Sequence, residues 1–326
     1  MQRRTVLSAL AAMGATSAAP WAFAQASTWP DQPLRWVVPY PAGGGTDVLA
    51  RTVAEAMRQT LGQQIVVDNR PGAATNIGAQ MVATAKPDGN TFMSADNAVL
   101  AFNEHLFTKL PFNPEKDFTY VGAISRFPLA LVVNPAFEAK TVKEFLAYVR
   151  AHPGKLNYAS PGNGSPHHLA MEMFKNRTKI FATHIPYRGA APALQDVMGG
   201  QVPCMFLDLA AGLPVIQSGK VRALAIGSSK RVAALPDVPT LAEAGVPDTE
   251  VYAFQGILAP AGLPDAITAR LNADLNKALA NPAVVKRMTD FGMEALPGTP
   301  EQFRAMARAE SKRWGEIIKA AGVKLD

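Results

Sequence analysis

Cysteine is nearly absent from this chain, since Cys204 is the single cysteine among 326 residues. An internal disulfide is therefore excluded, and the apolar run VPCMFL around Cys204 predicts a buried thiol rather than a nucleophile. After residue 26 there is also no run of about eighteen uninterrupted apolar residues, which a membrane-spanning helix requires. We therefore expect the folded part of the chain to be soluble.

Clustered positive charge is missing as well, although lysine and arginine outnumber acidic residues by 32 to 26. These cations are scattered, whereas a nucleic-acid-binding protein concentrates them on one face, so we expect no nucleic-acid partner. Metal-ligand spacing is also missing. His167 and His168 are adjacent and point in different directions on a helix, and neither H-E-x-x-H nor a set of cysteine ligands accompanies them. We expect no metal and no cofactor.

The first 26 residues have the features of an export signal. Arg3 and Arg4 precede an apolar run that is too short to span a bilayer, and small residues follow it. The small-x-small rule permits cleavage after Ala24 or after Ala26, and the paired arginines leave both the twin-arginine and the Sec route open. We expect a signal peptide over residues 1–26 and a periplasmic mature protein.

Short apolar runs alternate with amphipathic segments of ten to fifteen residues along the rest of the chain, a pattern typical of α/β folds with mostly parallel sheets. Helix starts are marked by Thr141, Ser165 and Thr299, each a good N-cap residue. No sequence repeat of 20–50 residues is present, which excludes a solenoid. The apolar runs that predict strands are 34–40, 64–69, 91–96, 155–160, 183–187, 202–208 and 221–227.

A glycine loop follows the first predicted strand and leads into a helix. The loop consists of Ala42, Gly43, Gly44, Gly45, Thr46 and Asp47. Glycines let backbone amides approach a ligand closely, and the helix start adds unpaired N–H groups, a combination suited to a carboxylate or phosphate. Asp47 has two interpretations: it complements the helix dipole, or it accepts a hydrogen bond from a ligand amine or hydroxyl.

A second loop of this kind is the stretch NYASPGNGSPHHLA. Ser160 ends a strand, Gly162 and Gly164 free the turn, and Ser165 with Pro166 opens a helix. The amides after Ser165, together with the Ser160 hydroxyl, predict a second anion-binding loop.

Five further side chains stand at predicted strand ends. Tyr187 and Arg188 lie on a third loop, where Arg188 could pair with an anionic ligand. Ser94 and Asn97 fall at the end of the strand TFMSAD. Asp208 ends the strand that contains Cys204, where it contacts a ligand or caps the next helix. Because ligands of open α/β sheets bind beyond the carboxyl ends of the strands, we expect these loops to face one cleft between two lobes.

Familiar catalytic motifs do not fit these loops. No Lys-Ser or Lys-Thr pair follows the glycines, so the first loop is not a P-loop, and GGGTDV lacks the register of G-x-G-x-x-G. GNGSPH likewise does not match the G-x-S-x-G of serine hydrolases. These absences favour binding over catalysis.

Taken together, the blocks resemble one family. They are WPDQPLRWVVPYPAGGGTDVLAR, VVDNRPGAATNIGAQMVA, KPDGNTFM, LNYASPGNGSPHHLA, HIPYRGAAPALQDVMGGQV, GKVRALAIGSSKR, LPDVPTLAEAGVP and GILAPAGLP. The family is the extracytoplasmic solute-binding proteins of tripartite tricarboxylate transporters, also called the Bug family, and the resemblance runs from about Trp29 to the C-terminus. It implies a two-lobed, type II periplasmic-binding-protein fold that closes on a small ligand and delivers it to a two-subunit membrane permease.

The resemblance also implies the ligand class and the site. The ligand would be a di- or tricarboxylate, an acidic amino acid or an aromatic carboxylate, held largely by loop amides, hydroxyls and bridging waters. The implied ligand-binding residues are Tyr40, Ala42, Gly43, Gly44, Gly45, Thr46 and Asp47, then Ser94 and Asn97, then Ser160, Asn163, Gly164, Ser165 and His168, with Tyr187, Arg188 and Asp208 nearby. The family commonly has lysine in place of Arg188.

We accordingly expect one lobe to consist of residues 28–125 and 252–326 and the other of residues 126–251, in a monomeric, non-enzymatic protein. Two alternatives stay open at this point. A sensor partner would bind the same anion but present it to a membrane receptor. A secreted hydrolase would use Ser165 and His168, which requires the base to lie within hydrogen-bond reach of the nucleophile.

Overall fold

The computed structural model describes residues 29–43 and 45–325, and strands and helices alternate along them as the sequence predicts. The expected signal peptide and Gly44 lie outside the described residues. The strands are β1 (Leu34–Val38), β2 (Ile65–Asn69), β3 (Thr91–Asp96), β4 (Phe118–Val133), β5 (Asn157–Ser160), β6 (Thr183–Pro186), β7 (Cys204–Asp208), β8 (Arg222–Ile226), β9 (Tyr252–Pro260) and β10 (Glu294–Ala295). The helices are α1 (Gly45–Leu61), α2 (Asn76–Ala83), α3 (Asn103–Leu106), α4 (Val142–Ala151), α5 (Pro166–Thr178), α6 (Ala190–Met198), α7 (Leu209–Gln217), α8 (Asp265–Leu279), α9 (Pro282–Asp290) and α10 (Pro300–Ala321).

The N-cap predictions are confirmed at all three positions. The Ser165 hydroxyl accepts a hydrogen bond from the His168 amide at 3.3 Å, and Pro166 occupies the first helical position of α5. Thr299 forms a complete capping box at the start of α10. Thr141 caps α4, although the Glu144 carboxylate accepts from the Lys140 amide rather than from Thr141. Local turn chemistry thus sets where these helices begin.

The strands form a mixed sheet in the order β2-β1-β3-β9-β4-β7-β5-β6, with β8 and β10 also paired to β4. The outer strands are parallel: β1 pairs with β2 and β3, and β5 pairs with β6 and β7. β4 and β9 run antiparallel to their neighbours. The expected α/β fold is confirmed, with parallel pairing among the outer strands. The central strands are antiparallel, because β4 runs from one parallel group to the other and β9 runs back.

β4 connects the two parallel groups. Its residues Phe118–Pro128 pair with β9, and Leu129–Val133 pair with β7 and β8. The chain crosses back near Val251, whose carbonyl accepts a hydrogen bond from the Leu129 amide at 3.1 Å. The lobe division at 125/126 and 251/252 stays a prediction. β4 changes partners between Pro128 and Leu129, and the chain returns near Val251, so both positions lie close to the predicted boundaries.

The core is aromatic-rich on the β1–β3 side. Trp36 packs against Phe92 with ring centroids 5.2 Å apart, and Phe102 meets the fully buried Trp314 of α10 edge-on at 5.1 Å. Cys204 is buried as predicted, and burial raises the pKa of its thiol. Across residues 29–43 and 45–325, none of the helices combines the length and the apolar character that crossing a membrane requires.

Candidate functional site

The register of the central strands brings the two sets of carboxyl-terminal loops to one place. β3 ends at Asp96, which pairs with Gln255, and Gln255 in turn pairs with Ser125 of β4. β7 ends at Asp208, which pairs with Leu129 of β4. Ser125 and Leu129 are four residues apart, about 13 Å at roughly 3.3 Å per residue. The loops after β1 and β3 therefore face the loops after β5, β6 and β7 across the crossing of β4.

One contact shows how close the second loop comes to the end of α3 and to the C-terminal residues. Gly164 has φ 73°, and a Cβ built there would lie 2.8 Å from methyl carbons of both Leu106 and Leu325. Leu106 ends α3, which follows β3 and a short π-helical segment, and its carbonyl accepts from the Leu325 amide at 3.0 Å. Glycine is therefore required at this position for both its backbone conformation and its packing.

The first loop is exposed and is held from beneath by Asp47. Ala42, Gly43 and Gly45 are exposed, whereas Asp47 is only 3% exposed. Its carboxylate accepts from the Gly43 amide at 2.9 Å, and Asn69 and Arg51 donate to it at about the same distance. Burial pushes its pKa up, but these hydrogen bonds and the Arg51 charge bring it below the ordinary value. Of the two interpretations of Asp47, the structure favours the one that serves the loop itself.

Two residues that sequence reasoning missed support this loop. Gln255 is 3% exposed and donates from Nε2 to Thr46 Oγ1 at 3.0 Å, while its Oε1 is buried without a partner among the described residues. Asp96 accepts a hydrogen bond from the Tyr40 hydroxyl and another from the Ala98 amide. A polar residue inside the apolar run AFQGILAP was the one available signal for Gln255.

Ser94 and Asn97 lie at the end of β3 as predicted, but both side chains already have partners. Ser94 Oγ accepts from Trp36 Nε1 at 2.8 Å. Asn97 is fully buried and donates to the Tyr252 carbonyl while accepting from the Phe254 amide, so it ties the end of β3 to β9. A ligand contact at these two positions stays a prediction.

The second loop is built on its own hydroxyls. Ser160 Oγ accepts from the Gly162 amide at 3.1 Å, and Ser165 Oγ donates to the Gly162 carbonyl at 2.8 Å. Asn163 is exposed at the tip of the loop. The loop is therefore a compact turn with Asn163 outermost.

Two stacked histidines hold the two ends of this loop. The His168 and His184 rings lie parallel with centroids 4.0 Å apart. His168 Nδ1 accepts from the Gly164 amide at 3.0 Å, and His184 Nε2 lies 2.6 Å from Ser160 Oγ. Burial lowers the pKa of both imidazoles to about 4, so both are neutral near pH 7. His168 thus supports the loop from inside, and His184 is a third residue that the sequence did not single out.

The pairing that a hydrolase reading needs is not formed between Ser165 and His168. The Ser165 hydroxyl is bonded to the Gly162 carbonyl and the His168 amide, and His168 Nδ1 is bonded to the Gly164 amide. Ser160 does contact a histidine ring, but it is fully buried and fixed in the turn. The serine hydroxyls of this loop are used for structure.

The remaining predicted residues differ in their surroundings. The Tyr187 hydroxyl donates to Asp196 at 2.6 Å, and Arg188 is exposed. Asp208 caps α7 by accepting from the Ala211 amide at 2.8 Å, and its second oxygen lies 3.0 Å from His167 Nε2. Asp208 therefore caps the next helix, which was one of the two roles that the sequence predicted for it. Within the described ranges, no group of three or more His, Cys, Asp or Glu side chains is close enough to hold a metal ion.

Comparison with known proteins places this site in context. The family model described as "Tripartite tricarboxylate transporter family receptor" matches residues 49–323. Protein BugT of Bordetella pertussis is 37% identical over 301 residues, which cover 92% of each chain. Among solved structures, MatC of Rhodopseudomonas palustris with bound malate is 37% identical with a TM-score of 0.81, over 89% of this chain and 99% of that one. R. palustris Rpa4515 with adipate is 35% identical with a TM-score of 0.86, over 91% and 99%. The periplasmic binding protein BugD is 35% identical with a TM-score of 0.83, over 91% and 99%.

Proposed function

Because the chain belongs to the receptor family of tripartite tricarboxylate transporters, we propose that it captures a small organic carboxylate in the cleft described above. The ligand is released unchanged to the membrane permease subunits of such a transporter. The observation that carries this proposal is the juxtaposition of two glycine-containing loops at the starts of α1 and α5 across the crossing of β4, the first exposed at Ala42, Gly43 and Gly45 and the second at Asn163. Helix starts of this kind present unpaired N–H groups and a partial positive charge to an anion.

The proposed contacts divide into two sets. The first loop offers glycine amides that no Cβ shields, and the second offers the exposed Asn163 with the exposed Arg188 nearby. The amides of Gly43, Gly162 and Gly164 already donate inside their own loops and shape them. Residues buried beneath the loops, such as Asp47, Asn97 and His168, act by positioning them. The full set of proposed ligand-site residues is Tyr40, Ala42, Gly43, Gly44, Gly45, Thr46, Asp47, Ser94, Asn97, Ser160, Asn163, Gly164, Ser165, His168, Tyr187, Arg188 and Asp208.

Dicarboxylates are the first ligand class to test. The malate bound to MatC and the adipate found with Rpa4515 both carry two carboxylates, and those proteins share this fold closely. We further propose that the mature protein is a periplasmic monomer with lobes 28–125 plus 252–326 and 126–251, and that it has no catalytic activity. Ligand contacts with both lobes would stabilise the closed state, since only differential contacts shift such an equilibrium.

A thermal-shift screen against malate, adipate, citrate, aspartate and benzoate tests the ligand class, with the corresponding amides as controls. A ligand that binds only the native state raises the melting temperature. Small-angle scattering with a ligand that binds should then show contraction. Failure of every carboxylate to bind would refute the proposal.

A negative charge introduced at the tip of the second loop tests whether the ligand binds there. Asn163→Asp places a negative charge beside the proposed anion and should weaken binding about tenfold, the effect of roughly 1.4 kcal/mol of repulsion. Asn176→Asp is the matched control. Asn176 is exposed on α5, the helix that follows this loop, and lies ten residues beyond Pro166, about 15 Å along the helix axis. Equal affinity of the two variants would exclude this loop as the binding surface.

A further inference from the structure

His167 and Asp208 form a buried pair at the edge of the proposed site. His167 lies in the first turn of α5, two residues after the N-cap Ser165, and Asp208 ends β7. Each residue is 8% exposed, and His167 Nε2 lies 3.0 Å from Asp208 Oδ2. The other Asp208 oxygen accepts from the Ala211 amide at 2.8 Å. The carboxylate is therefore fully used, and it fixes the orientation of the imidazole.

The second ring nitrogen of His167 lacks a hydrogen-bond partner among the described residues. This nitrogen, Nδ1, is buried. Leaving a buried polar atom unpaired costs about 1–3 kcal/mol, so a partner from outside the chain, a water molecule or a ligand atom, would stabilise this position. Because a carboxylate only accepts, the proton on the neutral ring sits on Nε2, and Nδ1 carries a lone pair.

The charges around the ring decide what Nδ1 can bind. Among the described residues, Asp208 is the charged side chain that contacts the His167 ring. The neighbouring His168 contacts other groups, namely the Gly164 amide, the His184 ring and the Glu172 carboxylate. Burial alone would raise the pKa of Asp208, but the hydrogen bond and charge of His167 and the Ala211 amide bring it below the ordinary value. An ionised carboxylate stabilises a positively charged imidazole, whose Nδ1–H is then a donor suited to an anion.

We propose that His167 is a ligand-contacting, specificity-determining residue that donates from Nδ1 to a ligand carboxylate, with Asp208 as its positioning residue. This inference rests on the proposed function, and it adds a buried side-chain donor to the exposed groups that the loops offer. Binding then takes up a proton whenever the free ring is neutral. A ligand that presents a neutral amide in place of that carboxylate gains less from this contact.

The test is isothermal titration calorimetry of malate and adipate, each on the intact mature protein, between pH 6 and pH 8. In this range we expect affinity to fall with rising pH, because deprotonation removes the Nδ1–H donor, and we expect proton uptake to appear as a buffer-dependent heat. His167→Gln should abolish the pH dependence and weaken binding at pH 6 about ten- to hundredfold, the usual value of a charged hydrogen bond. His152→Gln, an exposed histidine at the end of α4, is the matched control and should retain both.

Asp208→Asn provides the second variant. It removes the negative charge that stabilises a protonated imidazole, so it should reduce proton uptake, while the His167 ring and its Nδ1 atom are retained. Far-ultraviolet circular dichroism on each variant verifies that it is folded. If a probe binds the wild type without proton uptake, or binds His167→Gln equally well, the inference is wrong and the proposed function stands. If neither malate nor adipate nor any other carboxylate of the screen binds, both fail.

Discussion

The stacked histidines beneath the second loop predict a specific loss of stability in acid. The His168 imidazole is neutral in the folded protein because burial lowers its pKa to about 4, whereas an unfolded chain protonates histidine near pH 6.5. Between these two values the unfolded state binds more protons, so the free energy of unfolding falls as pH falls. The difference from 6.5 to about 4, at roughly 1.36 kcal/mol per pH unit, amounts to about 3 kcal/mol for His168.

The structure also says what protonation would break. A protonated Nδ1 cannot accept from the Gly164 amide, and a positive His168 would lie 4.0 Å, centroid to centroid, from His184. Of the charged neighbours, Glu172 opposes the lowering of the His168 pKa and Lys175 adds to it, and the two are themselves paired at 2.7 Å. His184 should add to the loss, although its greater exposure reduces that contribution.

Urea unfolding of wild type and His168→Gln at pH 7.0, 5.5 and 4.5 measures this effect. The wild type should lose stability steeply over this range, and the variant should lose about 2–3 kcal/mol less, because glutamine does not titrate. His152→Gln should follow the wild type, since His152 is exposed. Parallel curves for wild type and His168→Gln would refute the reasoning, because acidic groups with lowered pKa act on both proteins equally.

Three further predictions concern backbone and packing, each checked by urea or thermal unfolding. Ala74 has φ 49° inside a left-handed turn, so Ala74→Gly should stabilise the protein by about 1 kcal/mol; destabilisation would show that the methyl group packs usefully. A Cβ at Gly256 would lie 2.1 Å from Phe303 Cζ, so Gly256→Ala should cost about 1–3 kcal/mol, and a neutral result would mean that Phe303 moves freely. Thr299→Ala removes the α10 cap and should cost about 1 kcal/mol, unless Gln302 alone suffices to hold the helix start.

Local signals made much of the fold predictable. N-cap residues, glycine turns and apolar runs act over a few neighbours, so the starts of α4, α5 and α10 and the strands that end at the site followed from the sequence. The central strand pairing did not follow. β4 is 16 residues long, and only its partners reveal that one half belongs with β9 and the other with β7 and β8. Which strands lie side by side depends on contacts far apart in the chain.

The roles of individual site residues were hidden for the same reason. His168 and His167 are adjacent, yet their tasks depend on His184 and Asp208, which lie 16 and 41 residues away from them. Sequence reasoning chose His168 from a family resemblance and set His167 aside, while the structure leaves the free ring nitrogen on His167. Spacing along one helix says which way two side chains point, but it does not say what each of them meets.

The hydrogen bonds of three acids near the loops explain how an anion could bind beside their negative charge. Asp47 is paired with Arg51 and a loop amide, and Asp208 with His167 and the start of α7. Asp96, whose pKa is raised by burial, is bonded by the Tyr40 hydroxyl and an amide. Each carboxylate thus accepts from groups of its own loop or helix start, and it fixes the backbone around the donors that remain for a ligand. Since hydrogen bonds strengthen as water is excluded, those remaining donors would bind a carboxylate best when both loops surround it.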